Sequence, residues 1–207
     1  MAKGVEKNTI DKLERIEYEY FHWGPYLYRT LLSNKKVEEI KKLCSKQSTD
    51  YRDILAGLLK HEHQVDVKKL FRIIGPYFNS YAQGYVEYTG KVLGNKIELI
   101  KSWVNFMTKF ESNPLHRHDE DLSFVIFLEV PKNLEKEYNE TISNCKPGTL
   151  NFVYSLGDRK EFINQRTFYP VVGEMFIFPS SLHHYVNSFQ CKGERISVSG
   201  NLKVTNG

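Results

Sequence analysis

The spacing of apolar residues along this chain changes once, near residue 95: before it they recur three and four apart, after it they come in short dense runs. From Lys35 to about Lys60 the stretches VEEIKKLC and YRDILAGLL predict two short amphipathic helices, with Asn34 and Asp50 as caps. A third helix is predicted from Asp66 to about Val92, where Val67, Leu70, Phe71 and Ile74 share a stripe. Pro76, following Gly75, predicts a kink or restart, and Gly94-Asn95 a stop.

From Lys96 onward the runs IELIKSWVNFM, LSFVIFLEV, GTLNFVYSL, RTFYPVV, EMFIFP, HHYVNSF and RISVSGNLKV read as strands separated by turn residues. That many short strands imply a sandwich or barrel-like double sheet with the helices packed against one side. The polar insert from Pro131 to Cys145 is expected to be an exposed loop or short helix. The expected organisation is a helical amino-terminal region, residues 1–95, on a β core, residues 96–207, within one structural domain.

Composition narrows this reading. A chain of 207 residues with 41% hydrophobic and 14% aromatic residues is long and apolar enough for a globular core. No stretch supplies the run of about 18 apolar residues a membrane span needs. The opening MAKGVEKNTIDKLERIEYEY is charged and lacks the apolar stretch of a secretory signal, so a cytoplasmic protein is expected. Cys44, Cys145 and Cys191 have no Cys-x-x-Cys spacing and are expected to be small buried residues rather than a disulfide or zinc framework. The net charge of +4 comes from residues 1–100, where lysines alternate with acids along helix-like segments. That pattern suits a solvated face, with no dedicated nucleic-acid-binding stripe.

The histidines carry more information. His116 and His118 stand just before a strongly apolar strand, and His183 and His184 just after another. Two sequence-distant imidazole groups at strand ends suit a mononuclear metal site, because residues two apart on a strand share a face. His183 and His184, being adjacent, should face opposite ways. Any one of these histidines alone would be read as an ordinary polar residue. His61 and His63 form another His-x-His, but in what reads as a helix-to-helix connection without a companion motif, and are not expected to be ligands. Arg195 and Ser197 share one face of the last strand while Ile196 and Val198 form its apolar face. If that face points inward, the guanidinium needs an anion, and its planar fork suits a carboxylate.

In order, His-x-(Asp/Glu/His), Gly-x-x-x-x-x-Pro before a distal His, and Arg-x-Ser about ten residues later resemble the 2-oxoglutarate/Fe(II)-dependent oxygenase superfamily. SWVNFMTKFESNPLHRHDEDLSFVIFLEVP, FPSSLHHYV and RISVSGN look like its small phage-encoded and bacterial members, with WGPYLYRTLL and YRDILAGLL a looser match. The resemblance implies a mainly β fold, the double-stranded β-helix (jelly roll, cupin-like), with supporting helices. It implies His116 and His184 as Fe(II) ligands, and Arg195 and Ser197 as the grip on the distal carboxylate of 2-oxoglutarate, with Asn105 a further candidate for that cosubstrate.

The second ligand stays open at this point. The resemblance favours His118, whereas the register His118-x-Glu120 with His184 would restore the carboxylate of the usual two-His triad, with Asp119 and Asp121 also near. The implied activity is hydroxylation of an unidentified substrate, coupled to oxidative decarboxylation of 2-oxoglutarate by O2. If the chain is phage-encoded, the cytoplasm is the host's. Two rival readings fit the same motifs: a three-His cupin-like dioxygenase that uses no 2-oxo acid, and a non-catalytic β-sandwich binding or structural phage protein.

Overall fold

A computed structural model describes residues 8–11, 14–20, 24–154 and 164–206. Trp23 of WGPYLYRTLL and the Ser155-Leu156 end of GTLNFVYSL lie outside the described residues. The elements in chain order are β1 (Asn8–Asp11), β2 (Glu14–Ile16), β3 (Tyr18–Tyr20), β4 (Tyr28–Leu31), α1 (Asn34–Lys41), β5 (Glu62–Gln64), α2 (Val67–Thr89), β6 (Lys96–Met107), β7 (Asn113–His116) and β8 (Leu122–Glu129). They continue with α3 (Leu134–Glu140), β9 (Leu150–Val153), β10 (Gln165–Phe168), β11 (Glu174–Pro179), β12 (His183–Val186) and β13 (Arg195–Thr205).

Two antiparallel sheets carry the fold: a seven-stranded one in the order β3-β4-β11-β8-β13-β6-β5 and a four-stranded one in the order β10-β9-β12-β7. The larger sheet is covered on both faces, which explains the near-continuous apolar run of β8. Phe124, Ile126 and Leu128 join α1 and α2 in one core, while Val125 and Phe127 turn to a second core shared with Phe152, Val186 and Phe178. Along β6 and β13 the same alternation places Val104, Phe106 and Val198 on the helix side, so Trp103, Asn105, Arg195 and Ser197 occupy the other face. The mainly β fold with helices against one side is therefore as expected.

Helix α2 begins where Asp66 accepts a hydrogen bond from Lys69 N at 2.9 Å. It ends at Gly90, whose φ of 69° closes the helix four residues before the expected Gly94-Asn95 stop. Pro76 lies inside the continuous helix, because Leu70, Ile74, Tyr77, Phe78 and Tyr81 pack on the sheet on both sides of it. Helix α1 is capped by Ser33, not Asn34.

Other corrections concern the amino-terminal half. YRDILAGLL is not a helix: only Arg52–Ile54 makes a single 3-10 turn. Asp50 forms a β-bridge with His63 and accepts from Arg52 N at 3.1 Å, and Leu58 N donates to Ser112 O at 2.9 Å, so the segment is tied to strands. His61-Glu62-His63 runs into β5, an edge strand paired with β6, and is no helix connection. Beside its two helices this half supplies β1 to β5, three of them to the larger sheet. The polar insert holds the short helix α3, as expected. The cysteines are free, and Cys145 is exposed rather than buried.

Candidate active site

Strands β7 and β12 pair so that His116 and His184 are register partners, with ring centroids 4.2 Å apart. His118 follows β7 and is anchored by donating its backbone N–H to Ser180 O at 3.0 Å. Its ring stands 5.0 Å from that of His116 and 5.2 Å from that of His184. Each of the three imidazoles offers a nitrogen within 4.8 Å of the others. His183 is exposed while His184 is buried, as adjacent strand residues require.

Local backbone fixes two of the rings. His116 Nδ1 lies 2.7 Å from Pro114 O and His184 Nδ1 lies 2.9 Å from Leu182 O. A carbonyl only accepts, so Nδ1 carries the proton and Nε2 keeps its lone pair for a metal. Burial lowers the pKa of all three rings. At His118, where His116 adds to the effect, the value falls to about 4. The cluster is thus neutral at ordinary pH, the form that ligates. The edge of Trp103 lies against His118, ring centroids 5.7 Å apart, which restricts that ring too.

Glu120 is engaged elsewhere. Lys101 Nζ lies 2.7 Å from one of its oxygens and Asn201 Nδ2 donates to the other at 2.8 Å. Burial opposes ionisation of that carboxyl, but the Lys101 hydrogen bond, a backbone hydrogen bond and the charge of Lys101 together outweigh it and the pKa falls. Asp121 accepts from Val204 N at 2.7 Å, and Asp119 is exposed. The structure brings together the three imidazoles and leaves the nearby carboxylates outside the group.

Arg195 lines the same cleft from β13 and is only 2% exposed. Its Nε and Nη2 have no hydrogen-bond partner among the described residues, and its guanidinium lies over the Phe127 ring at 4.7 Å. Burial pulls its pKa down to about 9. Ser197 lies two residues on along the strand, and Asn105 of β6 is its register partner, with Nδ2 3.5 Å from Ser197 Oγ. Asn105 Oδ1 is itself buried and unpaired. A desolvated guanidinium with two idle donors, beside a hydroxyl and an amide, fits a carboxylate ligand.

Glu62 and Asn113, which also line this cleft, are not recognisable as site residues from the sequence alone. The flanking histidines drew attention in His61-Glu62-His63, while the signal that matters is Glu62's pairing with Asn105 across β5 and β6.

Residues 101–201 match the family model described as "Putative 2OG-Fe(II) oxygenase". No curated protein matches the sequence. Among solved structures, a prolyl-4-hydroxylase from Pseudomonas putida is similar at 14% identity, over 87% of this chain and 94% of that one, with a TM-score of 0.55. HygX from Streptomyces hygroscopicus, solved with nickel, 2-oxoglutarate and hygromycin B, is 10% identical over 86% of this chain and 83% of its own, with a TM-score of 0.53. A viral collagen prolyl hydroxylase from Paramecium Bursaria Chlorella virus-1, in complex with 2OG, is 12% identical over 87% and 97%, with a TM-score of 0.50. These likenesses identify the two facing sheets as a double-stranded β-helix. Over residues 101–201, just under half of its length, the chain is similar to the 2OG-Fe(II) oxygenase family, whose cofactors are Fe(II) and 2-oxoglutarate.

Proposed function

We propose that the protein is a 2-oxoglutarate-dependent hydroxylase in which His116, His118 and His184 hold Fe(II), and Arg195, Ser197 and Asn105 hold the distal carboxylate of 2-oxoglutarate. The observation that carries this reading is the buried guanidinium of Arg195, whose Nε and Nη2 find no partner among the described residues, in the same cleft as three neutral imidazoles. Iron and the 2-oxo acid, when bound, supply the oxidising power: with O2, 2-oxoglutarate becomes succinate and CO2, and one oxygen atom enters a substrate C–H bond.

The chain's own residues orient and shield. The Nδ1 hydrogen bonds to Pro114 O and Leu182 O aim two ligand nitrogens before metal arrives. A guanidinium already desolvated over Phe127 gains a carboxylate without a further burial cost on its own side. Phe178 and Val125 wall the cleft and limit water near the reacting atoms. Three neutral ligands leave the metal's charge uncompensated by the protein, which strengthens its hold on an anionic cosubstrate.

The test is anaerobic titration of the Fe(II)-loaded protein with 2-oxoglutarate, followed by O2. A charge-transfer absorption band, then succinate in proportion to 2-oxoglutarate consumed, is expected. Metal binding without either result would favour a three-His dioxygenase that uses no 2-oxo acid.

A further inference from the structure

Glu62 is a buried carboxylate that the proposed chemistry does not use. It is 1% exposed, lines the cleft from edge strand β5, and its Oε2 has no hydrogen-bond partner among the described residues. Asn113, at the start of β7, presents a second buried, unpaired oxygen to the same cleft. A Cβ added at Gly57 would stand 2.4 Å from Glu62 Oε1 and 2.6 Å from Asn113 Oδ1, so the two oxygens converge over the glycine, which only a residue without a side chain permits.

The charged groups around Glu62 do not neutralise it. Arg52, whose field reaches Glu62, is held by Asp50 through Nε at 3.0 Å and Nη2 at 2.6 Å. Glu111 and Asp50 are acidic themselves, and Glu111 is occupied by Lys60 N and Thr108 N at 3.0 and 2.7 Å. A buried carboxylate without a counter-cation is costly, and what relieves it is a proton or a bound cation. Burial accordingly pushes the Glu62 pKa up to about 7. Leu55 and Ala56 line the same cleft and give it an apolar wall beside these acceptors.

From this juxtaposition we infer that Glu62 and Asn113 form a subsite for the primary substrate that takes an alkylammonium or guanidinium group, its carbon chain lying against Leu55 and Ala56. The inference rests on the oxygenase reading of the cleft and names its substrate class: an organic cation, either a free amine or a basic side chain carried by a peptide. The acceptors supply the hydrogen bonds a cation's N–H groups need, and the ionised carboxylate discriminates against anions.

The test uses the full-length protein at pH 8, where Glu62 is ionised, titrated with n-butylammonium by NMR. Saturable shifts are expected, with n-butanol and n-butyrate giving none. Glu62→Gln, of equal size, should weaken binding at least tenfold. Gly57→Ala should do the same by displacing the Glu62 carboxylate, which the added Cβ would otherwise meet at 2.4 Å, with the thermal midpoint checking that each variant is folded. A capped Gly-Gly-Lys-Gly-Gly peptide distinguishes the sources: tighter binding than n-butylammonium assigns the subsite to a side chain, equal binding to a free amine. No saturable shift in the wild type, or equal affinity in Glu62→Gln, overturns the inference. A charge-transfer band on the wild-type Fe(II) protein without ammonium binding removes only the subsite, whereas ammonium binding without the band removes only the oxygenase reading.

Discussion

His116 and His184 sit opposite each other across β7 and β12, and each holds its Nδ1 against the carbonyl of the residue two before it. Cross-strand pairing and a local hydrogen bond together set both ligand nitrogens without any contribution from the metal. His184→Ala should therefore abolish Fe(II) binding, whereas His183→Ala, altering an exposed ring on the other face, should retain it. Metal content after dialysis against Fe(II) reads both, and equal loss would contradict the assignment.

The ligand set is tested by its nearest carboxylate. His116→Ala and His118→Ala should each lose metal severely, and Glu120→Ala should keep most of it, because Glu120 is spent on Lys101 and Asn201. Removing that partly exposed pair should lower stability by no more than about 1 kcal/mol. A metal-free Glu120→Ala beside a metal-loaded His116→Ala would restore the carboxylate register.

Acid should destabilise the metal-free protein through these rings. The folded pKa of His118 is lowered to about 4 by burial first and His116 second, and His116 and His184 are lowered as well. Between that value and the unfolded histidine value near 6.5 the unfolded chain binds more protons, so stability rises with pH across the window. It is fully present above about pH 6.5 and is lost as pH falls toward 4; His118 alone contributes at most about 3 kcal/mol. Urea unfolding at pH 7 and pH 5 should show the loss, with a smaller difference in His118→Gln. For the same reason Fe(II) should stay bound below the pH at which an ordinary histidine site releases it. Identical stabilities at the two pH values would show that the rings are not held neutral.

Much of this architecture was legible in the residues, and the exceptions share a cause. β8 and β13 declare themselves because alternation is a local property: Phe124 and Ile126 against Val125 and Phe127, Arg195 and Ser197 against Val198. The grouping of His116, His118 and His184 was legible because they stand at strand ends. YRDILAGLL keeps helical spacing, yet its conformation is set by the Asp50–His63 and Leu58–Ser112 bridges, which local sequence does not encode. β4 and β5 are short, and their partners lie far along the chain. Glu62 acquires meaning only from its place beside Asn105, and the choice between His118 and Glu120 only from what Lys101 and Asn201 occupy.

Helix α2 backs the sheet that presents Arg195, and its amino-terminal cap is a separable part of the fold. Asp66→Ala should cost about 1 kcal/mol by freeing the Lys69 N–H, a shift of about 2–4 °C in Tm for a chain of this size. Calorimetry reads it, and the Fe(II) content should be unchanged.

The central claim is that Arg195 binds the remote carboxylate of 2-oxoglutarate, and the most direct measurement is the charge-transfer absorption of the anaerobic Fe(II) protein as 2-oxoglutarate is added. In the wild type the band should develop and saturate. In Arg195→Ala, iron should remain bound, and the concentration needed should rise by on the order of a hundredfold, as expected when one partner of a buried charge-assisted pair is removed. Arg195→Lys should recover only part of the loss, since a point charge lacks the planar fork. Ser197→Ala should cost about 1 kcal/mol, the worth of one hydrogen bond. A wild type that develops no band, or an Arg195→Ala protein that develops it at the wild-type concentration, would contradict the claim.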